Sequence, residues 1–132
     1  AAEPAKGRSE NLRMRFLVMV KTEPKDEPAV VKRADLEAMG RYNQSLREAG
    51  VLVSVDGLRN SDLGSRIAFK DGKTIVTDGP FTESKELVAG FWILQVKSKA
   101  EAIEWAKKIP FANGEGVEIR QIAEAGDFAD AQ

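Results

Sequence analysis

The chain has 132 residues, 42% hydrophobic and 31% charged, the size and balance of one globular domain with material for a core. With 20 Lys and Arg against 21 Asp and Glu, no basic excess exists to neutralise a nucleic-acid backbone, and no apolar run approaches the roughly 20 residues that span a bilayer. Cysteine and histidine are both absent, which excludes disulfides, thiolate chemistry and any side chain that titrates near neutrality unaided. Proton transfer would fall to Asp, Glu, Lys or Tyr, and any metal would need oxygen ligands alone; no metal and no cofactor are expected. The start of the chain lacks the apolar core of a signal peptide, and a cysteine-free chain suits a reducing cytoplasm, the expected location.

Residues 1–13 contain one Leu and no periodicity, and read as a flexible tail or an expression remnant, with Met14 offering a natural start. The folded domain is expected over residues 14–123, followed by an acidic tail at 124–132. Residues 15–20, RFLVMV, form an apolar run of the kind found in strands buried on both faces. A charged loop containing proline, TEPKDEP, follows at 22–28. The spacing of Leu36, Met39, Leu46 and Gly50 predicts a helix over 34–49, with Asp35 at its positive start and Gly50 able to end it. Residues 51–55 predict a second strand closed by Asp56-Gly57, and RNSDLGS at 59–65 a charged loop. Asp71-Gly72, centred in residues 66–77, predicts a β-hairpin with a type I′ turn. Beyond Asp78-Gly79-Pro80-Phe81, the run LVAGFWILQV at 87–96 predicts another strand apolar on both parities. Gly90 within it marks a close backbone approach or a bulge. Ser98 and Glu101 fit a capping box for a second helix that runs to about residue 109. That helix places Ala102, Trp105, Ala106 and Ile109 on the core side and stops at Pro110. VEIRQI at 117–122 predicts the last strand.

The order β, α, β, hairpin, β, α, β is that of an α+β, ferredoxin-like protomer with an inserted β-hairpin. Both helices then lie on one side of the sheet, although two of its strands are apolar on both parities. Four strands of ordinary length present a bare face of about 19 Å by 17 Å, about 300 Å². At about 25 cal/mol per Å² this is on the order of 8 kcal/mol, comparable with the stability of a whole domain. A second copy laid face to face is the expected cover, giving a homodimeric α+β barrel.

The stretches MRFLVMVK, YNQSLREAGVL, VTDGPFTESKELVAGFWILQVKS, AIEWAKKIP and VEIRQI together resemble the YCII-related family, over about residues 14–122. The likeness is to its DGPF branch, named for a motif usually written DGPFAETKE, from which only Thr82 and Ser84 depart. The resemblance implies a ferredoxin-like protomer in a dimeric α+β barrel and no settled activity. Other dimeric α+β barrels include cofactor-free isomerases, lyases and oxygenases. A His–Asp pair implied for some YCII-like relatives has no position to occupy in a chain without histidine. An association of DGPF proteins with extracytoplasmic-function sigma factors implies a regulatory setting and a possible protein partner.

The candidate site is the turn and the charges after it. Asp78 reads either as a brace, accepting from the backbone N–H of Phe81 or beyond, or as a general base made by burial in the dimer cleft. Phe81 reads as an apolar anchor or a pocket wall. Glu83, Lys85 and Glu86 form either a solvated turn or the polar edge of a ligand cleft. Asn43 falls on the buried side of the first helix, where its amide needs a partner: backbone, a strand side chain, or, with Tyr42, the cleft. Asp56 is a turn residue or a second carboxylate, Arg120 a surface pair or a ligand contact, and Trp92 and Trp105 are core. Three functions follow: a small-molecule-binding dimer, a cofactor-free lyase or isomerase using Asp78 with Lys85 stabilising developing negative charge, and a sigma-factor partner.

Overall fold

Alternation along the two long apolar strands decides the architecture. In β1 (Met14–Thr22), Phe16 and Val18 are buried while Leu17 and Met19, pointing the other way, are half-buried. In β5 (Leu87–Val96), Gly90, Trp92, Leu94 and Val96 are buried and Phe91 and Ile93 half-buried. The computed structural model describes residues 13–27, 32–112 and 116–128, so all but Arg13 of the expected N-terminal tail lies outside the described residues. The remaining elements are α1 (Arg33–Glu48), β2 (Leu52–Gly57), β3 (Ser65–Lys70), β4 (Lys73–Asp78), α2 (Lys99–Ala106) and β6 (Gly116–Gln121).

The main sheet runs β2-β5-β1-β6, and every pairing in it is antiparallel. Setting aside β3 and β4, which form a sheet of their own, this βαββαβ order is compatible with the ferredoxin-like fold. One side of the sheet packs Phe16, Val18, Trp92, Leu94 and Val96 with Tyr42 and Leu46 of α1 and Ala102 of α2. The register sets Leu17 beside Ile93 and Met19 beside Phe91 on the opposite side. Gly90 has the close approach expected of it: a Cβ there would stand 3.0 Å from the Asp56 carbonyl oxygen. Beside it the β1–β5 register also shifts, between Val20 and Lys21, leaving Ala89 without a partner in β1.

α1 keeps the middle of its predicted face, with Leu46 buried and Met39 packed against the core, but not its start. Leu36 is 61% exposed, and the buried residues are Tyr42 and Leu46. Counting from Leu36 had put the stripe one turn early; the first turn of the helix is exposed throughout, so Leu36 has nothing to pack against. The end of the helix follows expectation. Gly50 adopts φ 73°, its N–H donates to Arg47, and the Val51 N–H donates to Leu46. This pair of bonds is a Schellman cap, and its apolar clasp is the buried contact pair Leu46 and Val51. At α2, the Ser98 hydroxyl accepts from the Glu101 N–H at 3.1 Å, while the Glu101 carboxylate reaches back to the Lys97 N–H at 3.0 Å. The helix closes at Ala106, and residues 107–109 continue as a turn that buries Ile109.

Tyr42 joins the two helices across the core. Its ring meets Trp92 edge-on, with centroids 5.8 Å apart, and its hydroxyl donates to the Trp105 carbonyl at 2.7 Å. Burial pushes the phenol up to about 12. The folded state therefore holds this proton more tightly than the unfolded chain does, and stability falls as pH rises above the unfolded tyrosine value near 10. Tyr42 is the only tyrosine in the chain, so absorbance at the tyrosinate band reports it alone. The expected midpoint is about 12 in the native protein and near 10 in denaturant. Equal midpoints would mean that the hydroxyl is solvated.

The C-terminal stretch read as a tail starts as a tethered turn. Glu124 takes a two-pronged bond from the Arg15 guanidinium at 2.7 and 3.0 Å, and Ala125–Phe128 forms a 3-10 turn. Hydrogen bonding to Arg15 holds the Glu124 carboxyl below the usual carboxylate range.

Candidate functional site

Two polar loops converge on the turn after β4. The first, following β1, contains a 3-10 turn at Pro24–Asp26 and presents Glu27; the second, following β2, contains a 3-10 turn at Ser61–Leu63. They meet at Ser61. Glu27 Oε1 accepts from the Ser61 N–H at 3.0 Å and Oε2 from its hydroxyl at 2.7 Å. The same hydroxyl accepts from the Phe81 N–H at 3.3 Å. Gly79 donates to the Gly64 carbonyl at 2.9 Å, and the Gly79-Pro80 peptide is cis. A Cβ on Gly79 would land on the Ser61 carbonyl oxygen, well inside contact distance, so glycine is required for the two loops to approach this closely.

This lattice corrects one reading of Asp78. The Phe81 N–H is taken by Ser61, and Asp78 Oδ1 instead accepts from the Ser65 hydroxyl at 2.7 Å, across the base of the hairpin. The Asp78 side chain is exposed. Phe81 is the buried anchor of the turn. Arg66, on β3, lies over its ring at 3.9 Å and extends bonds of 2.6 Å to Glu83 and to the Ser84 hydroxyl. The charges after the turn are thus partly committed. Glu83 serves Arg66, Glu86 approaches Lys21 at 3.9 Å, and Lys85 is exposed with no ion pair among the described residues.

Against the motif lies a cavity of about 270 Å³, lined by Pro24, Glu27, Asn60, Ser61, Asp62, Pro80 and Thr82. A neighbouring cavity of about 190 Å³ shares Glu27 and Asn60 with it and adds Thr22, Leu58, Arg59 and Ala89. Among the described residues no cluster of three Asp or Glu is gathered as metal ligands would be. Of the residues singled out from the sequence, the structure brings Asp78, Phe81 and Glu83 to this turn but lines the cavity with none of them, and Glu86 instead lines a separate hollow with Lys21, Glu23 and Glu118. Asn43 is held elsewhere: its amide oxygen accepts from the Trp92 indole at 2.8 Å, the strand-side-chain alternative. Arg120 stands in register with Leu17 on the open side of the sheet, and its strand neighbour Glu118 takes Lys21 at 3.5 Å.

In a comparison to family models, the YCII-related domain matches residues 14–126. The chain belongs to the YCII-related family. The YCII-related protein is also similar to an uncharacterised protein of Rhizobium meliloti (strain 1021), at 36% identity over 101 residues, 75% of this chain and 78% of that one. The matched span takes in β1 to β6 together with both cavity-lining loops and the Arg15–Glu124 tether, so the site described here lies wholly inside the family domain. No helix among the described residues of this YCII-related chain is long and apolar enough to cross a membrane.

Glu27, Asn60, Ser61, Asp62 and Arg66 were not singled out by sequence reasoning. Their loops were visible as charged stretches broken by Pro or Gly. What no local pattern encodes is the contact between Glu27 and Ser61, which lie 34 positions apart.

Proposed function

We propose that this YCII-related protein is a face-to-face homodimer, a dimeric α+β barrel, that binds a small molecule in the cavity beside its DGPF turn. The observation carrying the reading is the Glu27–Ser61–Phe81 hydrogen-bond lattice. It fixes polar groups and two prolines around a concave space instead of leaving a solvated loop. The cavity and its neighbour share a wall at Glu27 and Asn60, and together they fall within the size of ordinary small-ligand pockets, about 300 Å³ and upward. The dimer is supported by the open side of the sheet, where Leu17, Met19, Phe91 and Ile93 form an apolar quartet. A carboxylate-base lyase or isomerase draws less support, because it depends on burial of Asp78 and that side chain is exposed in the protomer.

The test is a fragment screen by ligand-observed NMR on the wild type and on Thr82→Trp, which fills the cavity from an exposed position. Fragments that bind the wild type should lose binding to Thr82→Trp while its melting temperature is unchanged. Hits that bind both proteins equally would remove the cavity from consideration. Asp78→Asn separates the catalytic alternative: ligand binding kept with turnover lost would favour it.

A further inference from the structure

We propose that the β3–β4 hairpin is an arm that each copy of this chain lays on the body of a second copy. The inference rests on the dimer reading above and adds a second contact surface to it. All six residues of β3 and all six of β4 are exposed. The pairings Ile67↔Val76 and Phe69↔Thr74 put Ile67, Phe69 and Val76 on one face. Those side chains are 55%, 80% and 62% exposed. The pairings Arg66↔Thr77 and Lys70↔Lys73 put three cations on the other, on either side of the Ala68↔Ile75 pair. A lone two-stranded hairpin is marginal in water, and its apolar face is uncovered by the rest of the chain among the described residues. The turn is nevertheless well formed, with φ 52° at Asp71 and 75° at Gly72. The base is held firmly too, by Ser65 to Asp78 and by Arg66 over Phe81. A stiff arm with a bare apolar face is suited to docking, because little ordering remains to be done on contact.

Area selects the occupant. The open sheet face supplies about 300 Å² per protomer, less than half of the roughly 800 Å² per partner in an ordinary stable interface. One face of a hairpin with six-residue strands adds about 200 Å². In a two-fold dimer each protomer gives one arm and receives one, which adds about 400 Å² and brings the total close to the ordinary size. Arm against arm would add only half as much, so the arm is assigned to the partner's body.

The experiment is sedimentation over a concentration series for the wild type, for Ile67→Thr/Phe69→Thr, and for Met19→Glu on the open sheet face. The expected result is a dimer whose dissociation constant rises at least about 100-fold in the arm variant, with an unchanged far-ultraviolet spectrum. An unmoved constant in the arm variant, with Met19→Glu still dissociating the dimer, overturns the arm and leaves the sheet-to-sheet dimer standing. Dissociation by the arm variant but not by Met19→Glu keeps the arm and overturns the sheet contact. A wild type that sediments as a monomer at high micromolar concentration overturns both. A photo-crosslinking side chain in place of Phe69 gives a second reading. It should join the two protomers at residues outside the hairpin, and crosslinks confined to one chain, or retention on phosphatidylserine vesicles through Phe69, would defeat the proposal.

Discussion

Gly79→Ala is expected to cost about 3 kcal/mol of stability, the upper end of overpacking substitutions. The added methyl would meet the Ser61 carbonyl carbon and oxygen, which are backbone and cannot rotate aside. Nor can Ser61 retreat cheaply. Glu27 holds its N–H and hydroxyl, and its carbonyl accepts from the Gly64 N–H at 2.9 Å. Relief requires the loop of Ser61 to part from the turn, which breaks the Ser61–Phe81 bond and opens one wall of the cavity. Loss of ligand binding should therefore accompany the loss of stability. Gly40→Ala is the control: its Cβ meets nothing within 4 Å, and in the exposed middle of α1 the change should stabilise by about 0.5–1 kcal/mol. Urea denaturation of both variants decides the matter, and a Gly79→Ala protein with the wild-type midpoint would mean that the loops are not locked as described.

Much of the fold was written in local chemistry. Asp71-Gly72 dictated the hairpin because few residues other than glycine, asparagine and aspartate tolerate two consecutive positive φ angles. Ser98 with Glu101, and Gly50 after α1, marked helix ends because helix termini leave backbone groups that only particular neighbours satisfy. The α1 stripe holds at Met39 and Leu46 and fails at Leu36, because periodicity gives the angle of a stripe and not where along the axis the sheet lies beneath it. The site was half legible. The Gly-Pro turn announced itself, and Phe81 is its anchor, yet the walls of the cavity come from loops far away in sequence that are joined by side-chain bonds. Charges just after the turn looked like the polar edge of a cleft. Arg66, the second residue of β3, turns out to engage one of them, and nothing in the spacing of Arg66 and Glu83 declares that they meet.

Leu94 and Ile93 offer the sharpest separation of what holds the protomer from what would join two. They are neighbours in β5 and point to opposite sides of the sheet. Leu94 is 1% exposed, beside Phe16 in the core, and Leu94→Ala should cost about 3–4 kcal/mol through lost burial and the cavity left behind. Ile93 stands beside Leu17 on the open side, where the protomer alone gives it only partial cover. For a dimer the denaturation midpoint rises with protein concentration, because association stabilises the folded chain by mass action. Leu94→Ala should lower that curve at every concentration and keep its slope. Ile93→Glu should flatten it, since a carboxylate at the centre of an apolar interface must be desolvated without a partner. If the wild-type midpoint does not vary with concentration, the quartet of Leu17, Met19, Phe91 and Ile93 is a solvated surface, and neither the barrel nor an arm reaching around it has a second copy to hold.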